Sequence, residues 1–162
     1  MFPTTPIPLP LLQQREVEAK VIAPIYRAFA VEVGEDRARK ILTDVILDLA
    51  RQAGRVSAET GRTLSQFKHI VHKWTEGKAL ELTVLRDDEA ALEFNVTCCQ
   101  FAEMYHRLGL ADLGPLLSCN RDAAMIEGFN SEIGLTRTQT IMEGASHCDF
   151  RYRDVKREGT ND

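Results

Sequence analysis

The chain has 162 residues, 44% apolar and 27% charged, with 20 basic residues against 24 acidic ones and a net charge of −4. That length supports one domain with a real core and is short for two, and without a long basic stripe nucleic acid is an unexpected partner. No apolar run approaches the ~20 residues of a membrane span, so no membrane partner is expected, and four cysteines (Cys98, Cys99, Cys119, Cys148) are too sparse for a disulfide scaffold and fit a reduced, cytoplasmic protein.

The N-terminal stretch MFPTTPIPLPLLQQ carries four prolines and no basic residues, so it does not read as a secretory signal. Residues 1–13 are expected as an extended arm. Its apolar side chains, Phe2, Ile7, Leu9, Leu11 and Leu12, would be costly in water, which points to packing across a subunit boundary in a homo-oligomer. From Gln14 to Val33, Val17, Val21, Ile25 and Phe29 recur every four residues and predict a helix with that stripe as its core face, kinked or delayed by Pro24. From Glu35 to Ala53 the stripe Ala38, Ile41, Leu42, Val45, Ile46 and Leu49 predicts a second helix capped by Gly54. Thr63 and Gln66 have the spacing of a capping box, opening a third helix with Leu64, Phe67, Ile70, Val71 and Trp74 buried and Gly77 as its stop.

The period then changes to two. Leu80, Leu82 and Val84, then Leu92, Phe94 and Val96 after a turn at 86–89, alternate with polar residues and predict an antiparallel hairpin with one wet face. A helix is expected from about Cys99 to Leu108, ended by Gly109. A break at Gly114-Pro115 follows, then a short helix capped by Ser118, running through Ile126 and ended by Gly128. Leu135–Met142 and Cys148–Arg153 are expected as a second hairpin. The fold class is α+β: N-terminal helices packed on an antiparallel sheet of two hairpins, with two short helices between them. The domain is taken as 14–156 and the tail, 157–162, as disordered.

Several residues carry chemistry. Cys119 is expected in the first turn of a helix, where free N–H groups and the dipole favour a thiolate, with Asp122 three residues on along the same face. Most free cysteines are simply small buried apolar residues, and that reading stands beside the reactive one. Cys148 alternates with Phe150 and Tyr152, so these three share one strand face while Asp149 and Arg151 take the other. His147, at the turn, has the pKa range of an acid or base near pH 7. Cys99 stands at the mouth of a strand-to-helix junction, with Glu103 one turn later. No metal is expected: there is no C-x-x-C and no H-E-x-x-H, and His69 and His72 sit among lysines on a solvated face. A nucleophile elbow, a P-loop and a dinucleotide fingerprint are all missing, so no nucleotide or organic cofactor is expected. The residues by themselves reach a small α+β domain with a cysteine-bearing polar site, and go no further.

Three stretches carry a resemblance: FNVTCCQFAEMYHRLGLADLG (94–114), LLSCNRDAAMIEGFN (117–130) and LTRTQTIMEGASHCDFRYR (135–153). In order and spacing they resemble the L-2-amino-thiazoline-4-carboxylic acid hydrolase family, with a basic residue more usual where Cys98 stands and Cys99 matching the family's cysteine. The G-x-x-x-C-x-F ending is also, more weakly, similar to vinyl-reductase-type domains, a non-catalytic small-molecule-binding or sensory alternative. The family resemblance implies a small-molecule substrate and a hydrolase that opens a cyclic amidine at a C–N centre, giving carbamoyl-cysteine from the thiazoline. Such a reaction asks for an activated nucleophile, a carboxylate for the amidinium and a cation for the substrate carboxylate. The catalytic candidates are Cys119, Cys148, His147, Asp122 and Asp149, with either a cysteine attacking C2 or a carboxylate or His147 activating water. The binding candidates are Arg137, Gln139, Glu143, Asn120, Cys99 and Glu103, with Arg137 gripping the carboxylate. The turn 144–147 is expected to set Arg137 beside Cys148, facing a pocket capped by the Cys119 helix, with Asp149 holding the amidinium or bracing Arg137 from behind.

Overall fold

The computed structural model describes residues 9–158. It is α+β, with helices first and then a four-stranded antiparallel sheet. The helices are α1 (Leu11–Val33), α2 (Glu35–Ser57), α3 (Leu64–Trp74), α4 (Gln100–Arg107), α5 (Arg121–Phe129) and the short α6 (Val155–Glu158); the strands are β1 (Leu80–Asp87), β2 (Ala91–Cys99), β3 (Ile133–Thr136) and β4 (Cys148–Asp154). The expected arm lies partly outside the described residues, at 1–8; of the rest, Leu11 and Leu12 already belong to α1 and pack half-buried against the core.

The first helix corrects the sequence reading of its faces. It runs unbroken through Pro24, and its buried residues are Ala19, Ala23, Tyr26 and Ala30. The expected core stripe is turned outward: Val17 is 56% exposed, Val21 55%, Ile25 63% and Phe29 40%. On α2, likewise, Ala38, Ile46 and Ala50 are buried, while Ile41, Val45 and Leu49 are exposed. Small side chains let helix backbones approach closely, and the α2–α5 contact shows why. Gly54 lies inside α2, where a Cβ would come 2.1 Å from the Met125 carbonyl oxygen; Gly128, inside α5, would meet the Arg51 carbonyl at 2.1 Å. Both glycines are packing positions rather than helix stops.

Elsewhere local signals act as expected. Thr63 and Gln66 form the reciprocal capping box of α3, with Gln66 N–H donating to the Thr63 hydroxyl at 3.3 Å and Thr63 N–H donating to the Gln66 amide oxygen at 2.9 Å. The β1–β2 hairpin buries Leu92, Phe94 and Val96. The sheet order is β1-β2-β4-β3, so β4 inserts between β2 and β3, pairing Phe94 with Phe150 and Leu92 with Tyr152. These rings stack (Phe94–Phe150 at 4.9 Å) and meet Phe67 of α3, which lies 4.9 Å from Tyr152.

The second hairpin is shorter than expected. β3 ends at Thr136 because the Asp149 carboxylate, on β4, accepts the backbone N–H groups of Thr138 and Gln139, each at 2.9 Å. The chain then turns through a 3₁₀ segment, Ile141–Glu143, whose Thr140 cap also hydrogen-bonds the Glu143 carboxylate at 2.7 Å. Two buried clusters result: one between α1, α2 and α4, the other between α3, α5 and the sheet. Leu11, Leu80, Cys99 and Ile141 pack against both.

Candidate functional site

The seam between these clusters opens into a cavity of about 90 Å³. At about 10–15 Å³ per water-sized occupant, that is space for on the order of six to nine such atoms. Leu11, Leu80, Val96, Trp74, Phe101 and Phe150 give it apolar walls; Cys99, Cys119 and Cys148 all face it, as do Asp122, Arg15, Arg121 and Arg137. The three thiols come from a strand end, a helical turn and the start of another strand, and only the tertiary fold brings them together.

Cys119 does not begin a helix. It closes a π-helical turn, Pro115–Cys119, that leads through Asn120, itself in the right-handed helical region, into α5. Such wide turns are frequent at functional sites. Its thiol therefore lacks the N–H groups of a helix start. Burial pushes its pKa far up, and the Asp122 charge pushes the same way against the opposing pull of Arg137. Cys99, by contrast, is the N-cap of α4, accepting the Ala102 N–H at 3.4 Å. Burial still pushes its thiol up to about 11. Cys148 accepts the Ile141 N–H at 3.2 Å. Burial raises its pKa too, opposed by that bond and by Arg137. All three are thiols at neutral pH.

Asp122 is the acidic member of the lining. Arg137 donates to it at 2.6 Å and to the Cys119 carbonyl oxygen at 3.1 Å, and lies 5.2 Å over the Phe150 ring. Burial outweighs that guanidinium and raises the Asp122 carboxyl to about 6. On the α1 side, Arg15 donates to Glu18 at 2.9 Å and Arg121 donates to the same carboxylate at 3.1 Å; Arg121 also donates to the Leu117 carbonyl at 2.7 Å. Two buried hydroxyls, Tyr105 and Tyr152, have no hydrogen-bond partner.

The other candidates stand away from this cavity. Asp149 is on the opposite face of β4, holding the Thr138 hydroxyl at 2.6 Å besides the two N–H groups, so it braces the segment next to Arg137. Gln139 donates to the His147 carbonyl at 2.9 Å, and the His147 ring meets the Ser146 hydroxyl at 3.0 Å, outside the lining. Glu143 is exposed and bound to its own cap. Glu103 lines a separate hollow with Glu16 and Arg107, and Asn120 another with Arg51 and Glu127. No cluster of metal-ligating side chains occurs among the described residues.

Sequence reasoning missed Arg15 and Arg121. Arg121 adjoins Asp122 in one of the quoted stretches, which was a usable signal. Arg15, spaced three residues from Glu18, has the pattern of an ordinary surface ion pair, and nothing local distinguishes it.

Fold and cavity define a small α+β domain with a largely apolar cavity, faced by three cysteines, between its helices and its sheet. The chain belongs to the L-2-amino-thiazoline-4-carboxylic acid hydrolase family, whose model matches residues 14–152. Among solved structures it is similar to the phenol-responsive sensory domain of the transcription activator PoxR, bound to phenol, at 11% identity and a TM-score of 0.47, over 90% of this chain and 73% of that one. No curated protein matches.

Proposed function

We propose that the protein is a hydrolase that opens a small cyclic amidine in this cavity, with Asp122 as its acid–base group. The observation that carries the reading is the Asp122 carboxyl, held by Arg137 and facing a small cavity in a chain of this family, with burial raising it to about 6. A general base works best with a pKa near the working pH. In the proposed reaction Asp122 takes a proton from water as its oxygen bonds to C2 of the ring. The C2–S bond then breaks, the departing sulfur receives the proton back from Asp122, and the hydroxyl left on C2 releases its proton to water as it becomes the product carbonyl. For 2-amino-thiazoline-4-carboxylate the product is carbamoyl-cysteine. Before the water attacks, the ionised carboxylate holds the amidinium, and Arg137 keeps it aimed.

A second mechanism has a specific observation in its favour. Cys148 accepts a backbone N–H and lies near Arg137, so of the three thiols it has the best-supported thiolate. The Cys148 thiol would pass its proton to Asp122 as its sulfur bonds to C2, the ring sulfur would leave with that proton as the C2–S ring bond breaks, and water would then add to C2 and displace Cys148 as its thiol. Turnover of 2-amino-thiazoline-4-carboxylate and related cyclic amidines, with Asp122→Asn, Cys148→Ser, Cys119→Ser and Cys99→Ser beside the parent chain, tests both. Asp122→Asn should lose turnover at least 100-fold, with the serine variants remaining within tenfold. Loss on Cys148→Ser at an unchanged melt moves the chemistry to the thiol. Binding of the rings with no turnover by the parent chain sinks the hydrolase reading in favour of a sensory module.

A further inference from the structure

The charges around the cavity do not balance. Three arginines and one carboxylate line it, and that carboxylate, Asp122, is already bound to Arg137. Arg15 and Arg121 share a single Glu18, whose side chain is 37% exposed and so partly solvated, while their own side chains are only 16% and 13% exposed. Two nearly buried guanidiniums on one carboxylate leave a positive charge without a counterion. A buried cation with no counterion is costly unless something else supplies one.

We infer that Arg15 and Arg121 form an anion subsite that takes the carboxylate of a small ring acid. The cavity then has two ends: a cationic end at Arg15 of α1 and Arg121 at the start of α5, and an acidic end at Asp122. Arg137, the candidate from sequence, is unavailable for this role because its guanidinium is spent on Asp122 and the Cys119 carbonyl. The ligand class is a zwitterion, a compact ring with an amidinium at one end and a carboxylate at the other. Burial and the neighbouring Arg15 charge both lower the Arg121 pKa, a sign of the repulsion that a bound anion would relieve.

The inference rests on the reading that a cyclic amidine occupies this cavity, and it does not need that ring to be hydrolysed. Calorimetric titration with 2-amino-thiazoline-4-carboxylate and with 2-amino-thiazoline, which lacks the carboxylate, tests it on the full chain. The parent chain should prefer the acid by tenfold or more. Arg15→Gln and Arg121→Gln should each lose most of that preference while binding the carboxylate-free ring as before. Arg121→Gln also forfeits a bond to the main chain; Arg15→Gln forfeits only Glu18 and keeps the test alive should the first variant unfold. If the arginine variants keep the parent's preference, the subsite is overturned even if the protein turns the ring over. If the preference is present and lost as described but no carbamoyl-cysteine forms, the subsite stands and the hydrolase reading falls. Equal binding of both rings by the parent chain, or of neither, overturns the subsite.

Discussion

Asp122 and Arg137 stand 2.6 Å apart in the cavity wall, yet the carboxyl is raised to about 6 rather than depressed. Desolvation exceeds the attraction of one guanidinium, the outcome expected where water is largely excluded from a charged pair. For a carboxyl raised from 3.8 to about 6, the protonated form favours folding. The contribution is complete below about pH 3.8 and is lost as pH rises through about 6; it amounts to about 3 kcal/mol at most. Activity should run the opposite way, with kcat/KM rising through about pH 6 as the base ionises. Melting curves and rate profiles from pH 4 to 8, for the parent chain and Asp122→Asn, check both. A rate profile flat across pH 5–7 would remove Asp122 from its role.

Asp149 is a positioning residue in this account. It lies on the far face of β4 and holds Thr138 and Gln139, the residues that follow Arg137. Asp149→Ala should leave Thr138, which is exposed, to water and cost little in melting temperature. It should loosen Arg137 and reduce kcat by about 100-fold, since a misplacement near 1 Å has that scale of effect. Asp149→Asn keeps one acceptor and should recover part of the loss. A purely structural role would instead lower the melting temperature and leave kcat intact.

The α2–α5 contact permits no Cβ at two positions. Gly54→Ala and Gly128→Ala each drive a methyl to 2.1 Å from a backbone oxygen, and each should cost about 1–3 kcal/mol or more as the helices are forced apart. Gly134→Ala, in β3, meets nothing within 4 Å and is the control. Denaturant midpoints should separate the two helix variants from the control; equal midpoints would mean the helices shift at no cost.

The outward stripe Val17, Val21, Ile25 and Phe29 leaves four apolar side chains 40–63% exposed along one helix. We propose a second copy of the chain as its occupant, in line with the homo-oligomer expected from sequence but through α1. Light scattering should give a dimer, and Val21→Glu with Ile25→Glu a folded monomer. A parent chain that is monomeric at high concentration counts against it.

What the sequence determined by itself was local. The capping box at Thr63 and Gln66, the alternation in β2, the stop at Gly109 and the shared face of Cys148, Phe150 and Tyr152 all follow from contacts within a few residues, and the structure has each of them, whereas in β1 the alternation lapses at Val84, which is exposed. Period alone fixes which residues share a face, not which face meets a neighbour. Hence α1 reads as buried along Val17–Phe29, whereas its alanines and Tyr26 face inward, where small side chains allow close helix contact. Gly54 and Gly128 look like stops for the same reason: a partner backbone 2 Å from an absent methyl leaves no local trace. Ser118 and Cys119 read as a helix start because a π-helical turn has no signature of its own. The site was half legible. Asp122, Arg137 and the cysteines were named from sequence, but their convergence, and the entry of Arg15 from α1, depended on packing between residues a hundred positions apart. Only the closed fold also excludes water, and that desolvation raises the Asp122 pKa and keeps the three thiols protonated.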